Sequence, residues 1–439
     1  MRNALAFIRY YRLGRRRGEW TGREPFDRWR EKRVVKHIDY VRSRSAFYRE
    51  WWGDIPSSRW REFPPIDKSI LMSHFDRLNT AGIALNQALN VAAAAEASRN
   101  FKPAIGDVTV GLSSGTSGNR GVFLVGGRER AGWAGAMLGK MLPGSIFSRA
   151  SVAFFLRANS NLYESVRGKR ISFAFYDLLD PMADHFARLE RQRPDVIAAP
   201  PSVLRRLAEA LRSGELDVRP RRIISVAEVL DPLDRDYIGR AFGQIVHQVY
   251  QCTEGFLGCT CPLGTLHLNE DLVYIEKEYV PGRTRTFVPI VTDFSRTTQP
   301  IVRYRLNDLL TESEHPCPCG SPFTAIERIE GRCDDIFYST SMEAGGEPVI
   351  VYPDFVTRAI IAASPEIGQY RVVQTALDRW TVQLESPMLR DETIRERVRQ
   401  EVAALCGRLR CRVPALEFAP YSPPAGDRKL RRIERSWRP

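Results

Sequence analysis

Ser113, Ser114, Thr116 and Ser117 are interleaved with Gly115 and Gly118 in one short run, a composition suited to binding phosphate. Glycines let backbone N–H groups approach an anion closely, and the hydroxyls add donors for its oxygens. The apolar runs Val108–Val110 before it and Val122–Val125 after it predict a loop between two strands. A Walker phosphate loop would carry Gly-Lys-Ser or Gly-Lys-Thr and open a helix, and this run has neither. The plainer alternative is a solvent-facing Ser/Gly hairpin.

Further clusters follow in order. Tyr250, Thr253 and Glu254 come directly after the apolar run 245–250, at the carboxyl end of a predicted strand, where open α/β sheets place their ligands. A glutamate there could hold Mg²⁺ against phosphate, because hard cations take oxygen ligands; it could equally cap the next element. Arg303, Tyr304, Arg305 and Asp308 could grip a nucleotide, with the carboxylate accepting ribose hydroxyls, or form a surface salt-bridge cluster. Gly331, Arg332, Asp334 and Asp335 place a turn and charge where the composition changes, which suits a hinge. Lys429 stands among arginines in a polar tail after Gly426, where solvation is the ordinary fate of a lysine. Eight cysteines cluster unevenly: Cys259 and Cys261 precede His267, and Cys317 and Cys319 lie farther on. Three sulfurs and an imidazole make a tetrahedral set for Zn²⁺; a redox-sensitive thiol pair or plain buried cysteines are the alternatives.

These residues need a scaffold. A chain of 439 residues exceeds one compact core, so two or three domains are expected. Residues 1–70 read as a basic helical leader, with Val34, Val35, Ile38 and Val41 at helical spacing. Between 105 and 310, strand-length apolar runs at 151–156, 196–199, 222–225 and 245–250 alternate with helical patterns such as 201–211, an α/β arrangement with a buried sheet. From about 332 the pattern changes to strands near 370–374, 379–384 and 416–418 around a helix with Ile394, Val398, Val402, Leu405 and Leu409 on one face, a small α+β unit. The net charge of +13 would suit a polyanionic partner. No aromatic-interleaved basic stripe accompanies it, so a solvated arginine-rich surface is expected and nucleic acid is not. The apolar start is broken by Arg9, and no stretch is long enough to span a bilayer, which predicts a cytoplasmic protein without a transmembrane segment.

Taken in order, the Ser/Thr/Gly loop, Ala227-Glu228, Tyr250-x-x-Thr253-Glu254, Tyr304-Arg-x-x-Asp308, Gly331-Arg-x-Asp334-Asp335 and a late lysine resemble the adenylate-forming, AMP-binding superfamily. Arg303–Asp308 together with Cys317-Pro-Cys-Gly looks most like its phenylacetate–CoA ligase branch. The resemblance covers roughly residues 60–439. It implies a large N-terminal ATP- and acid-binding domain of mixed sheets and helices, residues 1–331, and a C-terminal lid, residues 332–439. It implies that Ser113, Ser114, Gly115, Thr116, Ser117 and Gly118 wrap the β- and γ-phosphates, that Ala227 and Glu228 line the adenine, and that Tyr250 stacks on it. Thr253 would contact the α-phosphate and Glu254 would ligate Mg²⁺. Asp308 and Arg332 would hold the ribose, Asp334 would be the hinge, and Lys429 would reach the α-phosphate during adenylation. The spacing of Cys261 and His267 resembles that branch, which selects Cys261 over Cys259 for a structural Zn²⁺ with His267, Cys317 and Cys319.

The activity implied is ATP-dependent conversion of a small carboxylic acid to its acyl-adenylate, then transfer to CoA, a carrier-protein thiol or an amine. Walls drawn from 154–159, 225–227 and Tyr250 favour an aromatic acid. Several departures bear on the second step: Asn119-Arg120-Gly121 replaces the usual proline and lysine, and Gln251 replaces glycine. The other reading is a non-catalytic or nucleic-acid-binding protein on a retained nucleotide-binding fold.

Overall fold

The computed structural model describes residues 2–16, 20, 22–98, 102–112, 121–156, 161–343, 346, 348–422 and 430–437. The chain divides into two compact units. The first comprises residues 1–230, 235–306 and 310–328; the second comprises 231–234, 307–309 and 329–439.

The first unit is built on a twelve-stranded sheet of two characters. Strands Ile171–Asp177, Ala150–Leu156, Val196–Ala199, Arg222–Ser225 and Val246–Cys252 lie side by side and run parallel. Their near-continuous apolar sequences follow from burial on both faces; all of Val196–Ala199 is buried. Helix Pro201–Ser213 covers them. It starts with Pro201 in the first turn, stops where Gly214 takes φ 80°, and turns Leu204, Leu207 and Ala208 inward. Leu207 is fully buried, and truncating such a leucine to alanine costs about 2–5 kcal/mol. The rest of the sheet is antiparallel, so Val246–Cys252 is the seam: parallel to Arg222–Ser225 on one side and antiparallel to Gly255–Thr260 on the other. A separate three-stranded sheet contains Val108–Leu112 and Val122–Val125, paired antiparallel with Leu112 opposite Val122. The Ser/Gly run joins these two strands, as its flanks predict, but residues 113–120 lie outside the described residues.

Residues 1–70 belong to this unit rather than standing apart. Helix Arg2–Arg15 sits on helix Gly127–Met141 through glycines: a Cβ at Gly135 would come within 2.3 Å of the Phe7 carbonyl oxygen. Helix Arg23–Arg44 contributes Arg23 and Arg30, which clasp the buried Glu270 at 2.8 and 2.6 Å. Part of the positive charge of this segment is therefore spent on internal ion pairs. Asp67 caps helix Lys68–Ser73 by accepting from the Ile70 N–H at 2.9 Å.

The second unit is α+β. Strands Ala415–Pro420, Arg379–Leu384, Tyr370–Ala376 and Ile433–Arg435 form its sheet in that order. Helices Pro353–Ala363 and Glu392–Leu409 supply Val356, Ile360, Ile394, Val398 and Val402 to one apolar cluster with Val372, Trp380 and Val382. Among the described residues no helix is long and apolar enough to cross a membrane.

Candidate functional site

Thr253 and Glu254 are the two-residue turn between strands Val246–Cys252 and Gly255–Thr260, at the carboxyl end of the seam strand. The turn depends on its neighbour: a Cβ at Gly255 would lie 2.8 Å from Asp293 Oδ2, so only glycine admits this approach. The Glu254 carboxylate lies near the hydroxyl of Tyr304 and acts on it electrostatically. Burial pushes the Tyr304 phenol well above its usual range, and the Glu254 carboxylate adds to the shift, so Tyr304 stays a donor at neutral pH. Tyr304 reaches this position from an irregular strand. Ile301–Arg305 shifts register against Thr286–Asp293, and Arg303 takes φ 48°, a conformation few non-glycine residues adopt.

The arginines of that strand are held by ion pairs. Arg303 holds Glu276 through Nε and Nη2 at 3.0 and 2.9 Å, and Arg305 holds Glu278 at 2.9 and 2.7 Å. Both guanidinium forks are filled by carboxylates of strand Val273–Tyr279, so of the two sequence alternatives the salt-bridge cluster is the one found.

Ala227 and Glu228 follow strand Arg222–Ser225 on the same edge of the sheet. Ser225 pairs with Gln248, so Ala227 and Tyr250 leave neighbouring strands at the same level. Ala227 takes φ 69°, the kind of backbone outlier that clusters where function holds it in place. Glu228 Oε2 accepts from the Ser202 N–H at 3.3 Å, at the start of helix Pro201–Ser213. Tyr250 is buried. In the aromatic region beyond, Phe154 and Tyr163 have ring centroids 4.8 Å apart, and Trp133 Nε1 donates to Gln251 Oε1 at 2.9 Å.

In the second unit Arg332 Nε lies 4.0 Å from Asp308 Oδ1. Asn307 binds both sides of the following turn: its carbonyl accepts from the Cys333 N–H at 3.0 Å, and its Nδ2 donates to Asp334 Oδ2 at 2.6 Å. Ser113, Ser114, Gly115, Thr116, Ser117, Gly118 and Lys429 lie outside the described residues.

The sulfur cluster is compact. The ligand atoms of Cys261, His267, Cys317 and Cys319 all lie within 4.8 Å of one another, with the first three residues buried. Cys261 Sγ is 3.8 Å from Cys317 Sγ, and Cys319 Sγ is 3.4 Å from His267 Nε2. A tetrahedral Zn²⁺ with S bonds near 2.3 Å has S···S edges of about 3.8 Å and S···N edges of about 3.6 Å, so these donors fit the ion. His267 Nδ1 faces the Phe323 carbonyl at 3.0 Å, which fixes the tautomer with a proton on Nδ1 and turns the Nε2 lone pair toward the thiols. His267 sits in strand Leu266–Leu268, paired with Gly255–Thr260, the strand that leaves Glu254. Cys259, on that strand, instead faces the Asn269 side chain.

Two contributors escape a reading of types and spacing. Tyr304 is visible only as an aromatic among arginines, and its role depends on the irregular register at Arg303. The Phe323 carbonyl is a backbone atom and has no sequence signature.

No protein-family model matches the chain. The fold is that of the adenylate-forming ligases. A structure of 2-hydroxyisobutyryl-CoA ligase in the postadenylation state, in complex with 2-HIB-AMP, aligns over 95% of this chain and 91% of its own, with TM-score 0.71 and 20% identity. The anthranilate CoA ligase AuaEII in complex with anthranoyl-AMP aligns over 73% of this chain and 65% of its own, with TM-score 0.53 and 13% identity. Protein CapK of Staphylococcus aureus is 28% identical over 204 residues, 46% of this chain and 44% of CapK, so the matched stretch spans less than half of that relative. At these identities the structural likeness establishes the fold.

Proposed function

We infer that this chain is an ATP-dependent ligase that converts a small carboxylic acid to its acyl-adenylate with release of pyrophosphate, then passes the acyl group to a thiol. The observation that carries this reading is the Thr253–Glu254 turn at the carboxyl end of the seam strand, with the Tyr304 hydroxyl near the Glu254 carboxylate. An acidic group on an edge lined by Ala227 and Tyr250 suits a metal-bound triphosphate.

The roles follow from chemistry. The substrate carboxylate oxygen attacks the α-phosphorus and the bond to the bridging oxygen of pyrophosphate breaks. Glu254 would hold Mg²⁺, which when bound offsets phosphate charge. Thr253 would contact the α-phosphate, and Tyr304 would keep the Glu254 carboxylate aimed. Tyr250, Ala227 and Glu228 would enclose the base, Asp308 and Arg332 the ribose hydroxyls, and residues 113–118 the outer phosphates. Lys429 would stabilise charge gathering on the reacting oxygens. In the second step the thiolate sulfur attacks the acyl carbon and AMP leaves.

CoA is the acceptor we favour over a carrier thiol or an amine, since both solved structures described above are named as CoA ligases. The aromatic side chains Phe154, Tyr163 and Trp133 support a small planar acid. Cys261, His267, Cys317 and Cys319 would hold a structural Zn²⁺ that braces the strand after Glu254 and takes no part in chemistry, because four protein ligands leave no open position. This cluster also supports the phenylacetate–CoA ligase branch within the superfamily. Pyrophosphate release, screened over aryl and short acyl acids with and without CoA, tests the reading. Acid-dependent release supports adenylation, and thioester formed only with CoA supports the acceptor.

A further inference from the structure

Helix Arg2–Arg15 has two unlike faces. Phe7, Tyr10, Tyr11 and Gly14 turn toward helix Gly127–Met141, whose glycines let the two helices meet closely. A Cβ at Gly139 would lie 2.6 Å from the Tyr11 carbonyl oxygen, and one at Gly132 would lie 2.8 Å from the Tyr10 ring. Leu5, Ile8, Arg9 and Arg12 follow one another at helical spacing and share the opposite face. That face is open: Leu5 is 62% exposed and Ile8 46%. Trp29 and Arg33, from helix Arg23–Arg44, complete an open cleft of about 440 Å³ beside it.

The charge around the cleft is of one sign. Residues 2–18 contain six arginines and neither aspartate nor glutamate. Arg23 and Arg30 are spent on Glu270, but among the described residues no carboxylate lies within ion-pair distance of Arg9, Arg12 or Arg33. Arg33 lies over the rings of Trp29 and Phe294 at 5.0 and 4.9 Å. Burial lowers the Arg33 guanidinium from its usual range, and the Arg9 charge adds to the effect. Asp271, whose charge reaches Arg33, is itself paired with Lys140 at 2.7 Å. An anion at the cleft would offset this crowding of cations.

Exposed leucine and isoleucine among arginines have the chemistry of a helix lying in a bilayer interface. The aliphatic side chains enter the acyl boundary while the arginines stretch to phosphate head groups. A soluble anion would leave Leu5 and Ile8 in water. A second copy seated on the same face by two-fold symmetry would set its own arginines against these. A nucleic acid would gain from the arginines, but its bases stack on aromatic rings rather than on aliphatic chains. We propose that the face bearing Leu5, Ile8, Arg9 and Arg12, with Trp29 and Arg33 beside it, docks the protein peripherally on an anionic phospholipid bilayer. The proposal does not depend on the adenylation reading.

Co-sedimentation of the full chain with vesicles tests it. The protein should bind vesicles of phosphatidylcholine with about one third phosphatidylglycerol and not vesicles of phosphatidylcholine alone. Salt at about 0.5 M should release most of it, because screening then acts within several ångströms. Arg9→Gln with Arg12→Gln should weaken binding by about thirtyfold, the product of two arginines lost near an anionic surface. Leu5→Ser with Ile8→Ser should weaken it by about tenfold or more through lost apolar burial. These four side chains are exposed, so the melting temperature of both variants should stay near that of wild type. Arg206→Gln with Arg219→Gln removes the same charge at two other exposed arginines and should change binding by less than about threefold. Equal weakening by the two arginine pairs would make binding a property of net charge and overturn the proposal. So would unchanged binding by the Leu5/Ile8 variant, which would leave an anion site without a membrane role, or no binding to anionic vesicles. Tighter binding to duplex DNA than to anionic vesicles, lost with Arg9 and Arg12, would reassign the face to nucleic acid.

Discussion

The Tyr304 hydroxyl lies near the Glu254 carboxylate, which brings together two residues far apart in sequence at one point of the first unit. A buried phenol that stays protonated at neutral pH can offer that carboxylate a donor while the carboxylate keeps its charge for a cation. Tyr304→Phe keeps the ring and removes the hydroxyl, and it should lower adenylation by about tenfold, the size of one donor lost beside a charged group. Glu254→Gln should lower it by about a hundredfold or more, because an amide keeps the shape but not the charge that a hard cation prefers. Rates of pyrophosphate exchange, with circular dichroism as a control for folding, check both. An unfolded Glu254→Gln variant beside a fully active Tyr304→Phe would make Glu254 a structural residue.

Lys429→Ala should lower adenylation by about two to three orders of magnitude, the worth of a lost electrostatic donor in the transition state. The melting temperature should stay near that of wild type, since Lys429 lies in a polar run after Gly426. Near wild-type exchange by the variant would remove Lys429 from the mechanism.

Protein purified without chelator should contain about one zinc per chain by elemental analysis, as expected of a closed four-ligand site. Cys317→Ser combined with Cys319→Ser should abolish the metal. It should also lower the melting temperature by about one to two degrees, the shift that about 1–2 kcal/mol produces in a chain of this size. Cys259→Ser should keep the metal, because Cys259 faces Asn269 rather than the cluster. Zinc-free wild-type protein would contradict the assignment.

Burial raises Asp293 to about 6, against the favourable pull of its bonds to Ser295 and of the Arg296 charge. In the unfolded chain the same carboxyl titrates near 4. Between about pH 4 and 6 the folded state therefore holds more protons at this group, and its contribution to stability falls as pH rises through that window. Asp293→Asn should flatten that part of the stability profile measured by denaturant unfolding. An unchanged slope would show that Asp293 does not carry it.

Much of the architecture was legible from the chain. The buried parallel strands are continuous apolar runs, which only burial on both faces produces, and helix Pro201–Ser213 announces itself through Pro201, its apolar spacing and Gly214. The convergence of Cys261, His267, Cys317 and Cys319 was legible because sulfur and imidazole carry their chemistry in the side chain, and the structure brings their ligand atoms within 4.8 Å of one another. The Arg303 and Arg305 pairings were not decidable from sequence, since their partners Glu276 and Glu278 lie on another strand whose register sets the match. Nor were the contacts of Arg296 visible: its Nη1 and Nη2 donate to the Thr253 and Leu124 carbonyls, backbone atoms common to every residue. The integration of residues 1–70 turned on buried Glu270, an acid that sequence alone reads as surface.

The central claim is acid activation at the expense of ATP, and exchange of labelled pyrophosphate into ATP tests it without any acceptor. With Mg²⁺ and a panel of aryl and short acyl acids, at least one acid should drive exchange, and Glu254→Gln should abolish it. Folded protein that binds zinc but gives no acid-dependent exchange across the panel would contradict the account.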